Sequence, residues 1–426
     1  MPDPTNSNGY KEEFKLLDKL TDGGYASSNN VQGTSSQKYP IHNLKVYLAK
    51  GDGEPDENGL YAKSKKVKYK LPEVGVKGKE STLCWKADYM STDHANTYNA
   101  NVADSLFTDP MSPDWPSNWR DKLQYTVHGV RCLLFQQMGS QAPEFIADGC
   151  LNNDKGNSKS YGLEYPAPEN PEEIDPDAEY DVDGTADTVA QKWEFTNNSD
   201  DLGFFKYDSL FLPIGNDNHL RALDAFESCY PDQGDLEDAQ DEYKEAHDNV
   251  EDPNLNPNYN HLQIVSTWVA QRANYWDETD PDIRATKKNI FKTEFTQHFI
   301  LDHVLVYYLF SEYVALCDNR VKNMFLRSDT VRKEVIKLKD GSTLFEGNSN
   351  PNADLFKEFI QIDTGLTDSE TGEPIYVYNM KNADQIDWEA STFAKWAPVL
   401  YDLDSCFGVE NVGLLKIPYN AGWQYV

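Results

Sequence analysis

The chain has 426 residues, 39% of them hydrophobic and 12% aromatic, which is enough to bury a substantial core. Its 71 acidic and 39 basic residues give a formal net charge of −32, and a surface this negative repels phosphate backbones and anionic lipids. The composition therefore argues against a broad basic face for binding nucleic acid or membranes.

The six cysteines are scattered and form no C-x-x-C pair, so the sequence does not predict a zinc ribbon. Most of them lie in apolar runs typical of buried thiols, which favours folding in a reducing compartment. No signal peptide is visible at the N-terminus. The apolar run 299–317 contains Asp302, His303 and Glu312, so it predicts a core helix and not a membrane span.

The first part of the chain predicts an arm followed by a small β-rich lobe. Residues 1–40 are rich in Asn, Ser, Gly and Asp, as in a loose N-terminal arm. Residues 41–160 contain alternating apolar and polar runs that predict strands, together with one helix. The strand segments are HNLKVYLAK, KKVKYKLPEV and STLCWKADYM, followed by a hairpin of VRCLLFQQ and PEFIADGCL. The helix, STDHANTYNANVADSLF, carries an apolar stripe of Tyr98, Val102, Leu106 and Phe107.

Residues 161–426 predict a larger, mainly helical lobe, with a helix over about 282–317. Three insertions interrupt it. They are an acidic, proline-rich loop without a core at about 164–187, an acidic stretch at 230–260 that predicts an exposed helix, and a segment at 328–392. The last of these opens with a hairpin that turns at Asp-Gly. The final residues, LLKIPYNAGWQYV, show no natural end to the lobe, so we expect it to be truncated.

Polar groups suited to phosphoryl transfer follow the long helix. In ALCDNRVKNMFL, Asp318 and Asn323 lie five residues apart, and the later segment PVLYDLDSCFG predicts a strand that ends in Asp402 and Asp404. Phosphoryl transfer from ATP needs an aspartate that orients the attacking hydroxyl, and oxygen ligands for magnesium from an amide and from a carboxylate after a strand. The alternative left open is that Asp318 and Asn323 only cap the helix and its loop.

These segments resemble the CotH family of spore-coat kinases, in which a related Asp…Asn loop is followed by a strand ending in a Trp-Asp-x-Asp-x-x-Phe-Gly motif. More specifically, the chain is similar to the CotH-type domains of large bacteriophage virion and tail-associated structural proteins. The similarity runs from about residue 40 to about residue 420. It rests on LCWKADYMSTDHANTYNANVADSLF, LNNDKG, QKWEFTNNSDDLGFF, DAFESCYPD and YYLFSEYVALCDNRVKNMFL.

The resemblance implies an α+β, atypical protein-kinase-like two-lobe fold that uses ATP and Mg²⁺. It implies that Asp318 is the catalytic aspartate and that Lys86 contacts the nucleotide phosphates. Asn323 would contact both nucleotide and metal, and Asp402 and Asp404 would be the remaining metal ligands. A solvated lysine at a strand end is the alternative for Lys86.

Two cations beside the Asp…Asn loop are left with two interpretations. Arg320 and Lys322 either neutralise the transferred phosphate or pair with surface carboxylates, and we favour the second. The sequence also departs from the family. The helix after Lys86 offers Asp104 but no glutamate, and LNNDKG supplies Asn152, Asn153 and Asp154 where the family has an acidic residue after the hairpin.

The resemblance further implies a place in the phage virion, in its tail, for a protein made in the host cytoplasm. Its partners would be other virion or tail proteins, or a coat-type protein substrate, in a larger particle, with no nucleic acid or membrane partner. Two functions from different classes stay open. The chain is either a kinase that phosphorylates Ser or Thr of a structural protein, or a non-catalytic structural component that keeps the kinase-like scaffold.

Overall fold

The architecture is taken from a computed structural model, which describes much of the chain between residues 25 and 406. The described residues are 25–32, 40–52, 62–66, 69–70, 77–87, 89, 95–107, 122–124, 126–136, 141–166, 170–175, 177–178, 180, 190–195, 226–232, 245–246, 261–272, 275–276, 278–316, 319, 323–328, 334–346, 361–367, 372, 374–378, 383–404 and 406. They form a mixed α/β fold of small antiparallel sheets and a few helices.

The first half of the described chain builds one antiparallel sheet and a helix. Its elements are β1 (Tyr25–Gln32), β2 (Asn43–Asp52), β3 (Ala62–Lys66), β4 (Tyr69–Lys70), β5 (Lys79–Glu80), β6 (Thr82–Lys86), helix α1 (Ala95–Leu106), β7 (Gly129–Gln136) and β8 (Glu144–Asn153). The strand order is β1-β2-β6-β8-β7, with β3 also paired to β2, while β4 and β5 form a separate ladder. The strands predicted in HNLKVYLAK and STLCWKADYM and the hairpin are confirmed, whereas KKVKYKLPEV is seen only as the end of β3 and the short β4, and its other residues lie outside the described ones.

The prediction of a loose arm over residues 1–40 is wrong where the structure describes it. Strand β1 pairs antiparallel with β2 along its whole length, from Tyr25 opposite Lys50 to Gln32 opposite Asn43. The consecutive Ser and Asn residues in the middle of β1 do not give the apolar alternation by which a strand is predicted, so its composition resembled a linker. The rest of that segment lies outside the described residues, apart from residue 40.

Strand β6 is buried on both faces, as are the β8 residues that pair with it, whereas strand β7 at the edge of the sheet is half-exposed. Leu83 and Trp85 pack on one face with Leu48 and Leu151 in a small apolar cluster. The other face carries Cys84 and Lys86 toward the second half of the molecule. A strand with two buried faces is usually apolar throughout, so a lysine at its end marks a polar contact between layers.

Helix α1 lies where it was predicted, but the predicted apolar stripe is wrong. Tyr98 is 64% exposed, and Val102 and Leu106 are also exposed. The buried face consists of small residues and amides, and of the predicted stripe only Phe107, just beyond the helix, is buried. Buried members of the helix are Ala95, Asn96, Asn99, Ala100 and Ala103. Small side chains let the helix lie close to its neighbours, and the buried amides need hydrogen-bond partners.

The described residues of the second half contain a four-stranded antiparallel sheet and several helices. The elements are β9 (Lys192–Phe195), β10 (Phe226–Tyr230), α2 (His261–Arg272), α3 (Pro281–His298), α4 (Leu301–Tyr313), β11 (Phe325–Ser328), β12 (Val335–Lys337), β13 (Thr343–Glu346), β14 (Gln361–Thr367), β15 (Pro374–Tyr378) and β16 (Trp396–Val399). The sheet order is β10-β9-β11-β16, and β12-β13 and β14-β15 are separate hairpins. A mainly helical lobe was predicted for this half. Its described residues instead include many strands.

The helix predicted over 282–317 is two helices. Asp280 caps α3, its side chain accepting from the backbone N–H groups of Asp282 and Ile283. The helix ends because Phe299 adopts an extended backbone and forms a parallel bridge to Trp396, and the backbone N–H of Ile300 donates to the carbonyl of Trp396 at 2.9 Å. The apolar periodicity continues through this break, so the sequence pattern did not reveal it.

The main core extends over both halves. It joins α1 to the second sheet and to helices α2 and α4. The acidic loop at 164–187 was predicted to have no core, which is wrong at Tyr165 and Ile174, because both are buried in this cluster. A short 3₁₀ helix, Pro171–Glu173, lies between them, and the remainder of the loop is only partly described.

The two other insertions are described in part. The hairpin predicted in 328–392 is confirmed as β12 and β13, which turn at Asp340 and Gly341. It packs outside the main core, around Ile336, Leu338, Leu344 and Ile386, which are all buried. The exposed helix predicted at 230–260 lies mostly outside the described residues, and only residues 245–246 are seen in a helix. Within the described part, no helix is both long enough and apolar enough to cross a bilayer.

Candidate functional site

Lys86 reaches from the first sheet to the strand end that carries Asp402. It is the last residue of β6, and its ammonium Nζ lies 3.0 Å from Asp402 Oδ1. The Lys86 side chain is only 5% exposed, so the alternative of a solvated strand lysine is wrong. Burial lowers the pKa of Lys86, but the neighbouring acidic groups, Asp402 first among them, together outweigh it, and the net pKa is raised. The lysine therefore stays protonated at neutral pH.

Asn323 and Asp402 leave the second sheet at the same edge. Strands β11 and β16 are antiparallel neighbours with Phe325 opposite Val399, so the chain before β11 adjoins the chain after β16. Both residues have a left-handed backbone, each with a φ of 56°. This conformation is uncommon outside glycine but is best tolerated by Asn and Asp, and such positions cluster at functional sites.

Asn319 ties the turn before β11 to the segment after β16. It is fully buried, and its amide Nδ2 donates to the backbone carbonyls of Tyr401 and, at 3.4 Å, of Asn323. The hydroxyl of Tyr307, on α4, donates to the backbone carbonyl of Asn319. The Asn319 side chain thus links the turn before β11 to the segment after β16, and the Tyr307 hydroxyl connects Asn319 to helix α4.

Helix α1 holds the residue between the two aspartates. Asn96 Oδ1 accepts from the backbone N–H of Leu403 at 2.9 Å, and Asn99 Nδ2 donates to the carbonyl of Leu403 at 2.8 Å. Asn99 Nδ2 also lies 3.3 Å from Cys406 Sγ. Two amides three positions apart on a helix therefore satisfy both backbone groups of Leu403, as a neighbouring strand would. We call Asn96 and Asn99 the asparagine clamp.

Asp104, the acidic residue of α1, pairs with other cations and not with Lys86. Asp104 pairs with His128 at 3.6 Å and with Lys77 at 3.9 Å. Sequence reasoning sought a glutamate to pair with Lys86 and missed the asparagine clamp. The sequence did contain an indication, because two asparagines stand at positions i and i+3 of the predicted helix. Asparagine is a poor helix former, so its presence there indicates a hydrogen-bonding role for the side chain.

The LNNDKG segment contributes a second ion pair beside the first. Asp154 Oδ2 lies 3.1 Å from Lys45 Nζ, and Asp154 Oδ1 accepts from Cys84 Sγ at 3.3 Å. Asn153 is structural, because its side chain accepts from the backbone N–H of His128 at 3.0 Å and donates to the Tyr161 hydroxyl at 3.0 Å. Sequence reasoning did not select Lys45.

The structure therefore brings four of the five predicted site residues to one edge. Lys86 contacts Asp402, Asn323 is linked through Asn319 to Tyr401, and Asp404 follows the clamped Leu403. The predicted catalytic residue Asp318, like Arg320 and Lys322, lies outside the described residues, so those predictions stay predictions.

The oxygen donors at this edge suit magnesium better than a soft metal. Asn323, Asp402 and Asp404 offer amide and carboxylate oxygens, and the Asp402 side chain keeps 25% exposure to solvent. Within the described residues, no group of three His, Cys, Asp or Glu side chains is arranged to hold a metal ion. An ion held here would therefore keep several water ligands, as magnesium does.

No protein-family model matches the chain, and no curated protein matches it either. Membership of the CotH-type family therefore stays a prediction from the quoted segments.

Proposed function

We propose that the chain is a CotH-type, kinase-like domain of a phage virion or tail-associated protein, and that it transfers a phosphoryl group from Mg-ATP to Ser or Thr of a structural protein. The proposal rests mainly on the ion pair of Lys86 with Asp402 at 3.0 Å. A buried lysine placed against the carboxylate that follows a strand is an arrangement that phosphoryl transfer uses. The first sheet with α1 would be the small lobe, and the second sheet with α2–α4 the larger one.

Each residue would contribute a separate effect. Lys86, held charged by Asp402, would bind a phosphate oxygen when nucleotide enters. Asn323, Asp402 and Asp404 would hold Mg²⁺, which neutralises phosphate charge when it is bound. Asp318 would accept a hydrogen bond from the acceptor hydroxyl and orient it. Asn319 and the asparagine clamp would fix the backbone on either side of the metal ligands.

The test is phosphate transfer from labelled ATP with magnesium, to the protein itself and to a general Ser/Thr protein substrate. Asp318→Asn and Asp402→Asn each remove a carboxylate that the chemistry requires, so we expect incorporation to fall by about 100-fold or more. Asp302→Asn, which removes an exposed carboxylate on α4, is the matched control and should stay within about twofold. Equal incorporation by all four proteins, or none by the wild type, would exclude the kinase function.

A structural component is the second candidate, and the surface of α4 favours it. One face of α4 carries large apolar side chains that are exposed, the most exposed being Tyr313 at 81%. The residues of this face are Leu301, Leu305, Tyr308, Leu309 and Tyr313. Exposed apolar faces of this kind are typical of assembly contacts. A thermal-shift measurement with millimolar Mg-ATP separates the candidates, because a ligand that binds only the folded state raises Tm. No shift would favour the scaffold.

A further inference from the structure

Lys45 and Lys86 lie on the same face of neighbouring strands. Lys45, on β2, is opposite Cys84 on β6, and Lys86 is two residues further along β6. In antiparallel strands such diagonal neighbours are about 7–8 Å apart. Asn152 is opposite Cys84 on the other side, so Asp154, two residues later, continues the same face from β8. Three adjacent strands thus direct two lysines and a carboxylate to one surface.

The two lysines have matching environments. Lys45 pairs with Asp154 at 3.1 Å, and Lys86 pairs with Asp402 at 3.0 Å. In each pair one member is nearly buried while the other reaches solvent. Asp154 is 9% exposed against 29% for Lys45, and Lys86 is 5% exposed against 25% for Asp402. In each pair, therefore, one side chain is partly exposed to solvent and the other is held in place by burial.

Cys84 and Tyr401 lie beside the two pairs. The thiol of Cys84 donates to Asp154 Oδ1 at 3.3 Å. The ring centroid of Tyr401 lies 5.6 Å from Lys86 Nζ. Burial raises the pKa of Cys84 to about 12, so the thiol stays protonated as a donor and does not act as a nucleophile. The two ion pairs consequently lie on either side of Cys84, on one face of the sheet.

We propose that Lys45 is a second phosphate-binding cation, so that the site takes a ligand with at least two linked phosphate groups, one bound by each lysine. This inference rests on the proposed function and adds Lys45 as a second phosphate contact in its nucleotide site. Each lysine would exchange a protein carboxylate for a phosphate oxygen. Asp154 then competes with the phosphate for Lys45, and the ion pair between Asp154 and Lys45 breaks when the ligand binds.

The charge at the surface predicts that a divalent cation is required. Among the described groups of the two ion pairs and the neighbouring Asp404, two lysines face three carboxylates, so these groups together carry a net negative charge before any ligand arrives. A free polyphosphate would be repelled, whereas its magnesium complex carries less negative charge. Burial lowers the pKa of Lys45, but the charge and the hydrogen bond of Asp154, together with smaller contributions from other neighbours, raise it overall, so this lysine is charged at neutral pH.

The experiment compares Mg-pyrophosphate with Mg-orthophosphate by calorimetric titration. Wild type should prefer pyrophosphate, and Lys45→Gln should lose about 10- to 100-fold in pyrophosphate affinity, the factor of one hydrogen bond to a charged group. Its orthophosphate affinity should change little. Lys45→Arg should keep most of the preference. Lys288→Gln removes an equal charge from an exposed site on α3 and is the matched control.

A second variant guards against loss of folding. Asp154→Asn removes the competing carboxylate, so we expect pyrophosphate to bind several-fold more tightly, a gain that a damaged fold does not produce. Pyrophosphate affinity unchanged in Lys45→Gln, or no binding by the wild type, would overturn the inference. If pyrophosphate binding depends on Lys45 but Asp318→Asn leaves phosphate transfer unchanged, the inference stands and the proposed kinase function fails.

Discussion

Removing one member of the asparagine clamp tests whether α1 holds the metal-ligand segment. Asn99→Ala leaves the carbonyl of the fully buried Leu403 without the donor that lies 2.8 Å away. An unsatisfied buried backbone group costs about 1–3 kcal/mol. Alanine recovers up to about 0.7 kcal/mol through its better helix propensity. We therefore expect a net loss of roughly 1–2 kcal/mol in the free energy of unfolding.

Asn101→Ala is the matched control, because Asn101 lies on the same helix and is exposed. It should be neutral or stabilising by up to about 0.7 kcal/mol. Urea unfolding followed by tryptophan fluorescence measures both variants, with Asn96→Ala and the double variant added. Since both amides hold Leu403, the two losses should not be additive and should differ from their sum by at least about 0.5 kcal/mol. If Asn99→Ala is as stable as Asn101→Ala, α1 does not position the Asp402 segment.

Two further predictions concern packing and pH. At Gly149 an added Cβ would lie 2.2 Å from the carbonyl oxygen of Lys86, so Gly149→Ala should destabilise by about 1–3 kcal/mol and weaken nucleotide binding. Gly341→Ala is its control, because a Cβ there meets nothing within 4 Å and adds only the strain of a left-handed backbone, about 1 kcal/mol. Burial, aided by the charge of Arg272, lowers the pKa of His298 to about 3, below its value in the unfolded chain. The unfolded state therefore binds the proton first, and stability present above about pH 6.5 is lost as pH falls, by about 2 kcal/mol at pH 5. His298→Gln should reduce this dependence in urea titrations at pH 7 and 5, and an unchanged slope would refute the assignment.

The strands of the first sheet were predictable because their side chains alternate. Segments such as HNLKVYLAK and PEFIADGCL have period-two patterns, and β2 and β8 follow them. Strand β1 was not predicted because its polar residues carry no such alternation. It forms by pairing with β2, a contact between segments that local periodicity does not encode.

The candidate site was predictable where residue type and spacing suffice. Asn323, Asp402 and Asp404 were identified from the pattern of polar residues after the long helix and after a strand, and Lys86 from the family resemblance; the structure places all four along one edge. Their supporting contacts were not predictable. Asn96, Asn319 and Lys45 act through partners tens to hundreds of residues away in sequence, and asparagine or lysine at those positions is equally typical of a solvated surface.

The face of α1 was misjudged for a related physical reason. Large apolar residues at helical spacing predict the buried side, but Tyr98 and Val102 point to solvent. The helix is buried instead on the side where Ala100 and Ala103 permit close approach and where the amides find backbone partners. Hydrogen-bond satisfaction decided the orientation of this helix, against the apparent hydrophobic stripe.

The shared core limits how the molecule can be divided. Ala100, Leu123 and Val127 come from the first half of the chain, yet they lie in the same apolar cluster as Trp396 and Leu400 from its end. A fragment cut after residue 160 would expose that surface to water and lose the acceptor at Leu400 for the backbone N–H of Val127. The halves should consequently melt in one cooperative transition, and any opening of the site must be a small hinge movement and not a separation of independent bodies.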